Sequence, residues 1–259
     1  LELIAAAMLI ALPLGLGLGM LSARWQGRPV DAGVRIVSII GVSLPAFFLG
    51  ILLQILFFRS LDVLPLSGRV DSDLRFTSPI DEVTGLYLID ALVTMNWPAA
   101  ADVMWHMVLP AITLAAYPIG LIARMTRSSM LETLGKDYIR TARAYGLGER
   151  LIVSRLALRN ALVPVLTIIG LTLAYLITGT FFVEIVFSWP GLGTFAVKSI
   201  LATDYPAIMG IALFGATGIL LGPIIGALYM TAWKLCGNAF EEESEERAAH
   251  LNPEKTEGM

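Results

Sequence analysis

The sequence is short of what builds a soluble catalytic domain. It holds one cysteine, Cys236, so no intrachain disulfide and no cysteine-based zinc cluster can form. Its two histidines, His106 and His250, are too few and too far apart to suggest a histidine metal site. Charge is scarce too: charged residues make up 15% of the 259 positions, against a hydrophobic share of 56% and a mean hydropathy of +0.76. Soluble domains carry about 25% charged residues, so this composition points to a bilayer as the solvent. The net charge of -3, from 18 basic and 21 acidic residues, leaves no basic footprint for nucleic acid. No metal or cofactor is expected from these residues.

Enzymatic signatures are missing as well. There is no H-E-x-x-H, no G-x-S-x-G elbow and no pair of carboxylates inside an apolar run of the kind used in proton relays. Gly191-Leu192-Gly193-Thr194-Phe195-Ala196 fits G-x-G-x-x-A formally, yet it follows Ser188-Trp189-Pro190 and lacks a surrounding β-α-β pattern. Lys198-Ser199 resembles the end of a phosphate loop, but Val197 stands where that loop needs its second glycine. The chain is expected neither to bind ATP by itself nor to be an enzyme.

What the sequence has in quantity is apolar length. A helix of about 20 apolar residues crosses about 30 Å of hydrocarbon, and five runs meet that need: residues 3–22, 34–58, 103–123, 161–183 and 207–233. The expected fold is therefore an all-α, polytopic transmembrane bundle of about five spans. Residues 1–233 form its membrane domain, and residues 234–259 form an acidic cytoplasmic tail rich in glutamate. The first run carries Gly15, Gly17 and Gly19 and the last carries Gly218, Gly222 and Gly226, small residues that let helix backbones approach closely in a membrane.

Orientation follows from lysine and arginine, which stay on the cytoplasmic side. Residues 124–159 hold Arg124, Arg127, Lys136, Arg140, Arg143, Arg150, Arg155 and Arg159, so this loop is expected inside. Arg24, Arg28 and Arg35 after the first run fall on the same side if crossings alternate. Residues 59–102 and 184–206 are then external, the former with seven acids against three arginines. This scheme starts the chain outside with an apolar run and no basic leader, and a further upstream segment is expected.

Two groups of residues are candidates for function. On a helix over the inner loop, Tyr138, Ala142 and Tyr145 share one face while Lys136, Arg140 and Arg143 share another, and Gly146 offers a stop. Such a helix either lies flat on anionic lipid or docks in a groove on a soluble partner. Inside the apolar runs stand Gln54, Thr113, Tyr117, Thr172, Tyr175 and Thr178. Polar groups facing lipid are costly, so some of these are expected to line a passage, although each could instead bond a helix carbonyl.

The chain resembles the membrane-spanning permease subunits of bacterial binding-protein-dependent ABC importers, in the dipeptide, oligopeptide and nickel branch. The likeness covers residues 1–210. It runs through Leu44-Pro45-Ala46-Phe47-Phe48, Leu64-Pro65-Leu66-Ser67-Gly68, His106 to Leu114, Arg127-Ser128-Ser129-Met130, Asp137-Tyr138 to Gly146-Leu147 and Ala157 to Pro164. It ends with Val183-Glu184, Phe187-Ser188-Trp189-Pro190-Gly191-Leu192-Gly193 and Asp204-Tyr205-Pro206. Family members carry an additional N-terminal span, and this chain begins where their second span would. From about Gly215 onward the chain departs from the family's usual ending.

The resemblance implies a type I ABC importer permease in the bacterial inner membrane, a multi-pass conduit for di- or oligopeptides. Its implied partners are a second permease subunit, two ABC ATPase subunits that hydrolyse ATP, and an extracytoplasmic solute-binding protein. The inner loop corresponds to the family's EAA loop, a coupling helix that inserts into a cleft of the ATPase. By position its E-A-A becomes Arg140-Thr141-Ala142, its glycine is Gly146, and its later L-P becomes Leu158-Arg159. Tyr138, Arg140, Thr141, Ala142, Arg143, Gly146 and Leu158 are thus the implied coupling residues, with Ala142 expected in the tight contact. A self-sufficient channel or secondary transporter would be favoured by intramembrane charges, which the apolar runs lack apart from Arg35 at the entrance of the second; a non-transporting membrane scaffold is the remaining alternative.

Overall fold

A computed structural model describes residues 1–81 and 83–217 together with Ile224 and Thr231, apart from the side chains of 177–179. Among the described residues every regular element is helical. Helix α1 covers Glu2–Arg24, α2 covers Pro29–Ser43, and α3 covers Ala46–Leu53, running on into a π-helical turn over Gln54–Ser60. Two short helices follow, α4 over Ser72–Thr77 and α5 over Tyr87–Val93, before α6, which runs unbroken over Trp97–Leu134. Helix α7 spans Asp137–Ala144. A turn of helix, α8 (Glu149–Leu151), then passes through a π-helical stretch, Ile152–Ala157, into α9 over Leu158–Gly179. Helices α10 (Phe181–Val186), α11 (Leu192–Leu201) and α12 (Tyr205–Thr217) complete the described part.

Three helical runs are long and apolar enough to cross a membrane: Glu2–Arg24, Trp97–Leu134 and Glu149–Leu176. The first two contain the expected first and third spans, and the last overlaps the expected fourth over residues 161–176; helix α9 itself stops at Gly179, and residues 181–183 belong to α10. The second, expected as one helix over residues 34–58, is broken instead. The axes of Pro29–Ser43 and Ala46–Ser60 meet at a bend of 107°. The cause is local. Pro45 lacks an N–H and forces the residue before it out of the helical region, and Leu44 duly adopts φ -77 and ψ 128. Of the expected fifth span only residues 207–217 and the isolated Ile224 and Thr231 are described. Its Gly218, Gly222 and Gly226, and the tail 234–259, lie outside the described residues.

The inner loop is more helical than a connection over residues 124–159 implies. No glycine or proline falls between Ala123 and Leu134, so α6 continues through the arginines to Gly135. Only residues 135–136 and 145–148 separate the three helices on this side.

Packing centres on α1 against α6. A Cβ at Gly15 would meet the Ile122 side chain at 2.8 Å, and one at Gly19 would meet the Ala123 carbonyl oxygen at 2.7 Å. These two glycines let the backbones approach, whereas Gly17 faces open space. One cluster, including Leu3, Ala7, Val103, Met107, Val183 and Phe187, fills one end of the bundle. A second cluster of Ala23, Met130, Ile139, Ala142, Ile152 and Ala157 seats α7 against the long helices.

Candidate coupling surface and translocation path

Helix α7 ends as its sequence predicts. Gly146 has φ +75, the left-handed region that favours glycine, and nothing lies within 4 Å of where its Cβ would be. Its N–H donates to Arg143 O at 2.9 Å, and Leu147 N–H donates to Ala142 O at 3.2 Å. This pair is a Schellman termination, which satisfies carbonyls that a helix end otherwise leaves unpaired. Arg143 then reaches across the turn, its Nε donating to Glu149 Oε1 at 2.6 Å, and ties α7 to the start of α8. Both side chains are largely exposed, so this pair contributes at most about 1 kcal/mol.

The faces of α7 differ from the sequence expectation. Ile139 and Ala142, three residues apart, form the buried side and pack with Met130, Ile152 and Ala157. Tyr138 and Tyr145 are turned out, the latter 84% exposed. A tyrosine carries a polar tip that water can solvate, while isoleucine has none, so the aliphatic pair takes the interior. Ala142, expected at the contact with a partner, is therefore packed against its own chain. Arg140, Thr141, Arg143 and Tyr145 stand outside. Tyr138 is fixed at its tip, where its hydroxyl accepts from Asn160 Nδ2 at 2.7 Å, and Leu158 packs half-buried at the edge of the cluster that seats α7.

The polar residues within the spans divide into two groups. Thr113 and Thr172 are each 1% exposed, and each hydroxyl donates to the carbonyl four residues back, Leu109 O at 2.8 Å and Ile168 O at 2.6 Å. Their polarity is spent on their own helices. The side-chain amide of Gln54 is held by two backbone carbonyls, those of Leu66 and Val186. Tyr117 on α6 and Tyr175 on α9 pack together, their rings tilted against each other with centroids 5.0 Å apart and Tyr175 53% exposed. The Thr178 side chain lies outside the described residues.

Four buried carboxylates escaped the sequence reading, because their partners are remote in sequence or are backbone amides. Asp31 accepts from Ser22 Oγ at 2.6 Å, Gly27 N at 3.0 Å and the Arg127 guanidinium, and so joins α1, α2 and α6. Glu2 accepts from Arg69 Nη2 and from Leu88 N, each at 2.7 Å, while the Arg69 guanidinium lies 4.2 Å from the Tyr87 ring centre and 5.4 Å from that of Trp189. Glu184 accepts from Thr180 Oγ1 at 2.8 Å and from the amides of Gly193 and Thr194 at the start of α11. A Cβ at Gly191 or Gly193 would strike this carboxylate, which explains the glycines in the motif. Asp90, wholly buried in α5, accepts from Thr84 N, Thr84 Oγ1 and Gly85 N. Burial alone would raise its carboxyl pKa, but the bonds from Thr84 and Gly85 outweigh that and hold it below the usual aspartate value.

His106 contacts Asp102 through Nδ1, at 3.0 Å from its carbonyl oxygen and 3.3 Å from Oδ1. No group of three or more metal-ligating side chains occurs among the described residues.

Residues 15–233 match the family described as "Binding-protein-dependent transport system inner membrane component". The chain is 46% identical over 231 residues to a probable D,D-dipeptide transport system permease protein of Escherichia coli (strain K12), covering 89% of this chain and 67% of that protein. It is 44% identical over 230 residues to a di/tripeptide transport system permease protein of Pseudomonas aeruginosa (strain UCBPP-PA14), covering 88% and 67%. Against the dipeptide transport system permease protein of E. coli (strain K12) it is 42% identical over 221 residues, covering 85% and 65%. The chain thus spans about two thirds of the length of these relatives. With a match over most of its helices and relatives of this similarity, the chain belongs to the family of binding-protein-dependent transport system inner membrane components.

Proposed function

We propose that the chain is the membrane-spanning permease subunit of an ABC importer for di- or oligopeptides, placed as a multi-pass protein in the bacterial inner membrane. The observation that carries this reading is similarity along 85 to 89% of the chain to permeases named for dipeptide or di/tripeptide transport. In this reading ATP is hydrolysed in two partner ATPase subunits. A second permease subunit completes the path, and an extracytoplasmic binding protein delivers the peptide. The chain itself supplies a conduit and a lever.

The geometry supports a division of labour within the inner loop. The outward residues of α7, Arg140, Thr141, Arg143 and Tyr145, form the surface offered to the ATPase. Ile139, Ala142 and Leu158 seat that surface on the spans, and Gly146 ends it. A helix that transmits motion must be anchored on one side and free on the other, and α7 has that arrangement. In the spans, Tyr117 and Tyr175 are the side chains proposed to meet passing peptide, since a half-exposed tyrosine gains more from a wet passage than from lipid.

The test is uptake of a radiolabelled dipeptide by cells stripped of other peptide permeases, with this chain's full reading frame expressed beside its partner subunits. Uptake that needs this frame and a hydrolysis-competent ATPase supports the proposal. Uptake that persists with an inactive ATPase would favour a self-sufficient carrier.

A further inference from the structure

The outer end of the described bundle is closed by two external segments that come from opposite halves of the sequence. Residues 61–70 fold back beside the π-helical turn, with Val63 N–H donating to Phe57 O at 2.9 Å. Residues 187–191 follow α10. A helix leaves its last carbonyls without intrahelical partners, and at α10 the first segment helps supply them. Gly68 N–H donates to Phe187 O at 2.9 Å. Gln54 Nε2 donates to Val186 O at 3.0 Å, across 132 positions of sequence, and also to Leu66 O at 2.9 Å. One side-chain amide thus fastens α10 and the first external segment to the start of a π-helical turn, a geometry often found at functional sites. Directly beneath, a Cβ at Gly50 would meet the Phe187 ring at 3.0 Å and Thr113 Cγ2 at 3.4 Å, so Thr113 lies under this closure.

We infer that Gln54 is a positioning residue for transport: it holds the outer end of the path shut by fastening the Leu66 and Val186 carbonyls, and it lets go when substrate enters. The inference rests on the transport reading above. Gln54 suits the task because its amide offers two donors on a short stem, and each bond is individually weak enough to exchange for water when α10 moves. The apolar contact of Phe187 with α3 closes the gap that the bonds define.

The test reads closure directly and needs no partner ATPase. In the full-length permease with Cys236 replaced by serine, Thr113→Cys is labelled from outside by an impermeant thiol reagent. Ser129→Cys, on the inner part of α6, is labelled in parallel by a permeant one. Gln54→Leu removes both donors, and Gln54→Glu keeps the shape while its carboxylate can only accept. Both are expected to speed labelling at position 113 about tenfold, the effect of releasing two hydrogen bonds of ordinary net strength, with position 129 unchanged. Unchanged labelling at 113 in either variant overturns the inference, and an equal rise at both sites does so too, since it reports general loosening. Failure of peptide uptake with normal labelling behaviour would count against the transport reading alone.

Discussion

Arg127 grips Asp31 with two parallel bonds, Nε to Oδ1 at 2.7 Å and Nη2 to Oδ2 at 2.9 Å, across 96 positions of sequence. The carboxylate is 1% exposed and also takes Ser22 and Gly27. Removing Arg127 leaves this buried carboxylate only Ser22, Gly27 and the more distant Arg35, at 3.8 Å, and breaking a buried pair costs roughly 3–5 kcal/mol. Arg127→Ala should therefore lower the thermal unfolding midpoint of the purified protein sharply. Arg127→Lys should lower it less but visibly, since an ammonium cannot reproduce the fork. Adding Asp31→Ala to Arg127→Ala should recover part of the loss. A midpoint for Arg127→Ala equal to that of the parent would mean that the pair contributes nothing.

Surface and anchor on α7 should separate on mutation. Tyr145→Ala trims an exposed ring, so stability should change by no more than about 0.5 kcal/mol while co-purification of the ATPase falls. Ala142→Glu should act differently. It forces a carboxylate among Met130, Ile139 and Ile152, so the fold itself should loosen. Gly146→Val, at φ +75, should cost roughly 1–2 kcal/mol and blunt the end of the helix. ATPase retention by Tyr145→Ala at the parent's level would show that the outward face of α7 is not the docking surface.

Topology can be read with two serines. In a Cys236-free background, Ser72→Cys at the start of α4 should react with an impermeant thiol reagent on intact cells. Ser154→Cys, exposed between α8 and α9, should react only after permeabilisation. Equal reaction at both sites would sink the assignment of inside and outside.

Acid should loosen the external segment before the spans. Asp90 has a folded-state pKa below its unfolded value, so the folded state binds the proton less readily than the unfolded one. Its contribution is then complete above the ordinary aspartate range, about pH 4, and is lost as the pH falls through the depressed folded value. Protease cleavage within residues 78–96 should rise on that descent. Asp90→Asn should make cleavage fast at neutral pH and flatten its pH response. A wild-type cleavage rate that is flat down to the acid limit would remove Asp90 from the account.

Long-range order was legible wherever it depended on a period or a single residue's backbone. Runs of apolar residues gave α1, α6 and α9, and Gly146 announced the end of α7 before its φ was known. What escaped depended on partners brought together by the fold. Asp31 has no visible reason to be buried until Arg127 arrives from α6, and Glu184 reads as an ordinary acid until the amides of Gly193 and Thr194 turn towards it. The inward turn of Ala142 was missed for another reason: helical spacing groups residues into faces but does not say which face is packed, and the tyrosines looked apolar enough to compete. Pro45 stood inside the second run as a visible breaker, yet the apolar length on both sides of it, residues 34–58, outweighed it.

Helix α6 has 38 residues and is therefore about 57 Å long, well beyond the thickness of hydrocarbon. Its C-terminal end carries Met130, on which Ile139 and Ala142 sit, and its N-terminal end carries Asp102, which accepts from the Asp71 amide at 2.7 Å. Pro110 and Pro118 each remove an N–H from the ladder between those ends, so flexure concentrates there. Mechanically the element is two levers joined at a soft hinge: a tilt of ~5° of either half about that hinge carries its tip roughly 2.5 Å, close to the length of one hydrogen bond. The seat of α7 and the loop that carries Asp71 then move by separate angles, each half of α6 serving its own end.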